Sequence, residues 1–176
     1  MVKKGIILLV LLIKTTLIYG QGIQQFNVRP PFDLKLFVND SVFYEAPMKE
    51  SRYIINDTLI QIFPGEKLFI ECEIQNNKLV NFKVVPKIRD KNRTMVIEFH
   101  QEKNGKNHKQ MMLTIENPFQ KSLHYRAMIN LMNQNRWRKT SVVQVLPGLS
   151  SIEMWPDIIT SIALSGFEFI EEQIIN

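Results

Sequence analysis

The chain predicts an all-β fold, an antiparallel β-sandwich of about nine or ten short strands with very little helix. Three observations lead there. Apolar residues recur at every second position in short runs, which is the period of a half-buried strand. Turn-forming pairs such as Pro64-Gly65, Asn76-Asn77 and Pro147-Gly148 punctuate those runs at roughly 8–12-residue spacing. Nowhere does a 3.6-residue apolar period persist long enough to build a helix.

Residues 1–20 stand apart from this pattern. Lys3-Lys4 precede an apolar run from Ile6 to Ile13, and the small Gly20 lies just before Gln21. A basic start, a short apolar centre and a small-residue boundary make a cleaved secretory signal peptide. The run falls short of the about 20 apolar residues that span a bilayer, and Lys14 interrupts it. Cleavage is expected after Gly20, or a residue or two away because Ile18 is bulky at the minus-three position. The only cysteine is Cys72, so the mature N-terminus has no thiol to carry a lipid and no internal disulfide forms. The expected location is periplasmic or extracellular. An exported chain without disulfides points to a bacterial envelope rather than a eukaryotic extracellular space. No later segment is apolar enough to span, so a soluble mature protein is expected.

The leader also changes the charge argument. The chain holds 22 Lys+Arg against 17 Asp+Glu, a net +5. Lys3, Lys4 and Lys14 lie in the leader, which has no acid, so the mature balance is +2, 19 basic against 17 acidic residues. A near-neutral surface offers no electrostatic case for nucleic acid. Residues 21–176 are enough for a single core without staples. No composition break or repeat divides them, and a boundary near Lys87–Lys91 is the sole alternative. Asn39-Asp40-Ser41, Asn56-Asp57-Thr58 and Asn92-Arg93-Thr94 are glycosylation triplets only in a host that glycosylates.

Along the mature chain, Pro30-Pro31 cannot sit in a central strand, so residues 21–32 are expected as a flexible lead-in or an edge strand. Leu34–Val38 with Val42–Tyr44, and Arg52–Ile55 with Leu59–Phe63, flank polar turns as two hairpins. Lys67–Ile74 alternates cleanly, placing Leu68, Ile70, Cys72 and Ile74 on the buried face. Leu79–Val85 follows it, then Met95, Ile97 and Phe99. Asn104-Gly105 should centre a tight hairpin, since both residues tolerate positive φ, with Met111–Glu116 returning. Leu123, Tyr125, Ala127, Ile129 and Leu131 alternate inward, and Trp137–Val145 pairs beyond a turn at Asn133–Asn135. Trp155–Thr160 can form one helical turn with Pro156 early in it. In the last strand, Ile162–Phe169, the apolar phase jumps at Ser165-Gly166, which predicts a β-bulge at Gly166.

Within residues 109–169 the order strand, Asn117-Pro118-Phe119, Leu123-x-Tyr125-x-Ala127, Thr140-Ser141 and later Trp155-Pro156 resembles small exported bacterial immunoglobulin-like sandwiches of unassigned function. The resemblance implies the fold and no activity, and no functional residue is carried over from it.

Catalytic motifs are missing: there is no Gly-x-Ser-x-Gly elbow, phosphate loop or His-Glu-x-x-His. Ser150 lacks the second glycine of an elbow and reads as a loop serine. His100, His108 and His124 read as surface imidazoles, although His100 and Glu98 would approach His124 if their strands paired. Cys72 shares an apolar face and is flanked by Glu71 and Glu73, which disfavour a thiolate. Glu71 and Glu73 point to one side at about 7 Å, a spacing used by inverting glycosidases, yet on a mid-strand face they read as solvated acids. Trp137, Trp155 and Phe82 could make an aromatic platform, but Trp155 before a proline more simply caps the core. Arg136-Trp137-Arg138-Lys139 reads as a solvated hairpin tip. No catalytic, cofactor-binding or metal-binding residue is therefore assigned, and no cofactor is expected.

These features predict a non-enzymatic binding module. Sandwiches leave open edges to which an extended partner segment can add. The expected partner is another envelope or secreted protein or peptide, with no nucleic acid; the oligomeric state is open. Lys103–Lys109 reads as a protected edge, so the available edge should lie elsewhere, and Ile23–Val28 before Pro30-Pro31 could be an exchanged strand. Two alternatives stand beside this. One is a carrier with a barrel-like cavity lined by Met95, Met111, Met112, Met128 and Met132; the other is an unrecognised hydrolase built on His100, His124, Glu98, Glu71 and Glu73.

Overall fold

The structure is a computed structural model that describes residues 25–134 and 136–170. The signal peptide, its cleavage point and the first part of the 21–32 lead-in lie outside the described residues. The fold is nearly all β, and its strand pairs are antiparallel. Its strands are β1 (Val28–Arg29), β2 (Phe32–Phe37), β3 (Phe43–Met48), β4 (Ser51–Arg52), β5 (Ile54–Ile55), β6 (Leu59–Ile62), β7 (Glu66–Gln75) and β8 (Lys78–Val85). They continue as β9 (Met95–Asn104), β10 (Asn107–Glu116), β11 (Ser122–Leu131), β12 (Trp137–Thr140), β13 (Ser150–Trp155) and β14 (Ile159–Ile170). Fourteen strands exceed the nine or ten expected because the run Arg52–Ile55 divides into β4 and β5, the two-residue β1 is too short to show alternation, and β13 occupies a stretch where the sequence predicts no strand. A three-residue 3₁₀ turn at Gln25–Asn27 is the helical content among the described residues.

One hydrogen-bonded path runs β12-β11-β14-β8-β7-β9-β10-β13, with β6 beside β14 and β5 beside β6. The path narrows where β14 meets β8, at a single registered pair, Glu168 with Lys78, reinforced by Phe169 N–H donating to Asn77 C=O. On either side of this corner the apolar faces converge on one core. Ile70, Ile97, Phe99, Met111 and Leu113 come from one half, and Tyr125, Ile162, Leu164 and Phe167 from the other. Phe167 meets Phe82 edge-on at 5.4 Å and stacks on Tyr125 at 5.6 Å, which ties the halves together. The sheet does not close: β12 and β13 pair with β11 and β10 but not with each other. The β2–β3 hairpin forms a separate sheet over a small cluster of Leu34, Leu36 and Phe63.

Several local features follow from the residues. β11 buries Leu123, Tyr125, Ala127, Ile129 and Leu131, the alternation read in the sequence. The bulge at Gly166 is present: Gly166 and Phe167 oppose the single residue Tyr125, between the pairs Arg126–Ser165 and His124–Glu168. Gly166 has φ +63°, a left-handed conformation that glycine adopts without a Cβ penalty. The β9–β10 turn sits one residue later than expected. Asn104 pairs with Asn107, so Gly105 and Lys106 form the loop, and Gly105 alone of the two has positive φ, at +61°. Glycine in the first central position makes this a type II′ turn.

Elsewhere the structure corrects the expectation. Ile74 is 53 % exposed rather than buried with Leu68 and Ile70. A bulge at Asn81, φ +53°, shifts the β7–β8 register between Glu71 and Glu73, and beyond it Leu79 enters the core while its partner Ile74 stays exposed. Trp155–Thr160 forms no helical turn: Trp155 ends β13, Pro156-Asp157 bend, and Ile159 opens β14; the Ile158 C=O takes Met132 N–H and the Pro156 C=O lies 2.9 Å from His108 Nε2. Strand pairing of Trp137–Val145 stops at Thr140, and Val145 rejoins through one isolated bridge to Leu123.

Candidate functional site

β13 is the terminal strand of the sheet path and pairs with β10 alone. Its ladder runs from Ser150 opposite Glu116 to Trp155 opposite Met111. One position further on, Asn117 N–H donates to Leu149 C=O at 2.9 Å. In an antiparallel pair, directly opposed residues alternate between bonding each other and pointing away. Leu149, Ser151, Glu153 and Trp155 therefore direct their main-chain groups to β10. Ser150, Ile152 and Met154 direct N–H and C=O outward.

The side chains alternate to match. Ser151 is buried, Trp155 packs on the core and Glu153 is half-buried, whereas Ile152 and Met154 are 53 % and 58 % exposed. The irregular stretch Ser141–Gln144 approaches the inward-facing side chains of β13. It is held by side chains: Val143 N–H donates to Glu153 Oε1 at 2.6 Å and Trp155 Nε1–H to Thr140 Oγ1 at 3.0 Å. Val143, Leu146 and Leu149 are also exposed, so an apolar strip accompanies the open main chain. β13 has no Lys, Arg or Pro along its length. Such residues are how natural edges are blunted.

A second polar constellation, which the sequence did not reveal, sits at β1. Arg29 is 1 % exposed. Its Nε and Nη2 grip the Glu66 carboxylate, the latter at 2.9 Å, and Nη2 also donates to Gln61 C=O at 2.9 Å. Nη1 donates to Ser51 Oγ at 2.9 Å. The guanidinium lies 4.3 Å from the Tyr53 ring and 4.6 Å from that of Phe63. Glu66 additionally accepts Phe63 N–H at 2.8 Å. Burial, and then the Glu66 charge, push the Tyr53 phenol above its ordinary value against the opposing pull of Arg29. Four of the five guanidinium N–H groups donate inside the cluster, so it anchors β1. Val28–Arg29 are thus a two-residue edge strand against β4, with Pro30-Pro31 outside any strand before β2 begins at Phe32.

The other sequence candidates disperse. His100 Nδ1 lies 3.9 Å from Glu98 on β9, while His124 stands on β11, and these strands are not neighbours. Glu71 registers with Lys83, and Glu73 accepts from the amides of Asn81 and Gln75, so neither joins a histidine. His108 is not a free surface imidazole. Gln101 reads Phe37 as a strand would, through Phe37 N–H to Oε1 and Nε2 to Phe37 C=O, and Nε2 lies 2.9 Å from His108 Nδ1. Burial pushes the Cys72 thiol up to about 11, with Glu71 adding to it and Arg93 opposing, so it stays protonated at neutral pH. Ser150 opens β13, opposite Glu116 in the ladder, and is a strand residue rather than a loop serine. Phe82 is in the core, Trp155 packs at its side and Trp137 is exposed on β12, so the three do not form one platform. Arg138 and Lys139 belong to the edge strand β12 rather than to a hairpin tip.

An open groove of about 480 Å³ lies at one end of the strands, lined by Ile74, Asn77, Asn92, Phe119, Lys121 and Phe169 among others. None of the five methionines lines it. Met95 and Met111 are fully buried in the core and Met128 is on the surface. Among the described residues no cluster of His, Cys, Asp or Glu could hold a metal ion, and no helix is long and apolar enough to cross a membrane. Comparison with family models, with curated proteins and with solved structures returns no match.

Proposed function

We propose that this chain is an exported, immunoglobulin-like β-sandwich that works by binding rather than by catalysis, and that it takes an extended segment of a partner onto the open side of β13. The observation that carries this reading is the outward main chain of Ser150, Ile152 and Met154, flanked by exposed apolar side chains, with no Lys, Arg or Pro in the strand and its one charge, Glu153, turned inward. Main-chain pairing supplies affinity and the alternate side chains supply selectivity. The partner class is another envelope or secreted protein or peptide. The sandwich assignment is supported by the two halves of the sheet sharing one core across the β8–β14 corner. Export is supported by the leader at residues 1–20, and the protein recovered from its host should begin near Gln21 when its N-terminus is sequenced.

A photo-crosslinking residue in place of Ile152, introduced in the native host, tests the binding edge. The same residue at Arg138 on β12 is the control. A covalent adduct at 152 that is absent at 138 is the expected result. Equal labelling at both positions, or none at 152, would remove the basis for β13 as the binding edge.

A further inference from the structure

Resting on the reading of β13 as the binding edge, we infer that the strand it accepts is β13 of a second copy of this chain, paired antiparallel about a two-fold axis through Ile152. The edge is complementary to itself in one register. With Ile152 opposite Ile152 of the second copy, Ser150 faces Met154 and Met154 faces Ser150. All three positions are those whose N–H and C=O point outward. Each such pair exchanges two hydrogen bonds, so the junction closes with about six. On the exposed face Ile152 lies over its counterpart, with Met154 beside Ser150. On the inner face Ser151 meets Glu153, an uncharged group opposite a charged one.

Neighbouring registers fail on stated grounds. A shift that brings Glu153 opposite Glu153 places like charges directly across the ladder, which is unfavourable. A half-step shift sets outward main-chain groups against inward ones and makes no bonds. Centring on Ser151 keeps only the Ser150 and Ile152 pairs and leaves Met154 unpaired. Growth beyond the pair is limited at both ends of the strand. Pro156 has no N–H to donate, and the Pro147-Gly148 turn ends the run at the other side. The other terminal strand, β12, carries Arg138 and Lys139 and follows Arg136, so a second round of edge pairing is opposed. The contact is isologous and closes as a dimer rather than propagating.

The test uses the mature chain from Gln21. Sedimentation over a concentration series should show a mass rising toward twice that of the monomer. Ile152→Lys should hold it at the monomer mass, with circular dichroism unchanged and with a thermal midpoint equal to that of the parent at dilutions where the parent is monomeric, to show that the fold survives. In a Cys72→Ala background, Ile152→Cys should form a disulfide-linked dimer on mild oxidation, because opposed Cα atoms in such a pair lie about 5.5 Å apart. Ser150→Cys should not, since its counterpart is displaced by about 13 Å along the strand; mixing the Ser150→Cys and Met154→Cys proteins should restore the link. A chain that stays monomeric throughout the series overturns the inference. So does a dimer indifferent to Ile152→Lys, or one linked at Ser150 and not at Ile152. If the chain is monomeric yet Ile152 crosslinks a different chain in the host, the binding edge stands and the second copy falls. If it is monomeric and Ile152 crosslinks nothing, both fall.

Discussion

β1 and β13 are both short strands at the margin of the molecule, and they are held by opposite means. β1 is two residues long, and one side chain inside it does most of the holding: Arg29, sunk between two aromatic rings and bonded to Glu66, Ser51 and the main chain of Gln61. β13 is six residues long and leans on a full ladder to β10 and on Trp155 packed against the core. The first spends its polar groups inward and is finished. The second keeps half of its main chain unspent. An edge locked by a buried polar network is a structural anchor, and an edge held by ladder and apolar packing remains able to bind.

Removing the lock gives the largest expected effect. Arg29→Ala leaves the Glu66 carboxylate without its partner, and breaking a buried pair from one side costs about 3–5 kcal/mol; urea denaturation should show it, together with faster proteolysis near Val28. An unchanged denaturation midpoint would mean that β1 contributes little. Trp155→Ala is the corresponding cut on β13 and should cost about 3 kcal/mol, at the low end for truncating a large aromatic because the ring is only half-buried. If Trp155→Ala outweighs Arg29→Ala, the contrast between the two edges is reversed.

The lock also has a pH signature. Tyr53 is raised above the ordinary phenol value, so the folded state favours its neutral form. That contribution is fully present below about pH 10 and is lost as pH rises through the folded value. Tyr53→Phe should therefore flatten the alkaline decline in stability relative to the parent, measured from pH 9 upward. An identical decline in both proteins would place its origin elsewhere, for instance in Cys72, whose thiol is also raised. The smallest effect on folding belongs to Ile152→Lys, an exposed edge position where a change within about 0.5 kcal/mol is expected when parent and variant are compared as monomers at high dilution. A large loss of stability there would show that Ile152 is packed and that β13 is not a free edge.

The strands whose signal is local were legible beforehand. β11 and the first part of β7 lie across the core with one face in, so period-two alternation in residues 123–131 and at Leu68 and Ile70 maps directly onto burial. The Gly166 bulge was legible for the same reason, as a break of phase at the one residue able to take φ +63°. Ile74 defeated the rule because alternation reports which side a residue faces, not whether anything lies beneath it. The Gly105 turn slipped by a residue because the sequence marks a turn but the ladder on both sides fixes its register.

The candidate site was legible only in kind. That an edge of a sandwich would be open, and that it would not be the Lys103–Lys109 hairpin, follows from where the lysines fall in the sequence. Which edge it is depends on strand order, and strand order joins residues more than 40 positions apart, such as Met111 with Trp155 and Lys78 with Glu168. Arg29 carries the same lesson. Beside Pro30-Pro31 it looks like a solvated linker residue, and only the fold brings Ser51, Gln61 and Glu66 around it.

Left to itself, the amino-acid sequence determined the all-β class, the inward face of β11 and the bulge at Gly166, because each is set by side-chain size and backbone freedom within a few neighbouring residues. Tertiary structure alone decided which strand would stand last in the sheet and which arginine would be buried. Both outcomes depend on free energies of pairing and desolvation between segments that the chain holds far apart.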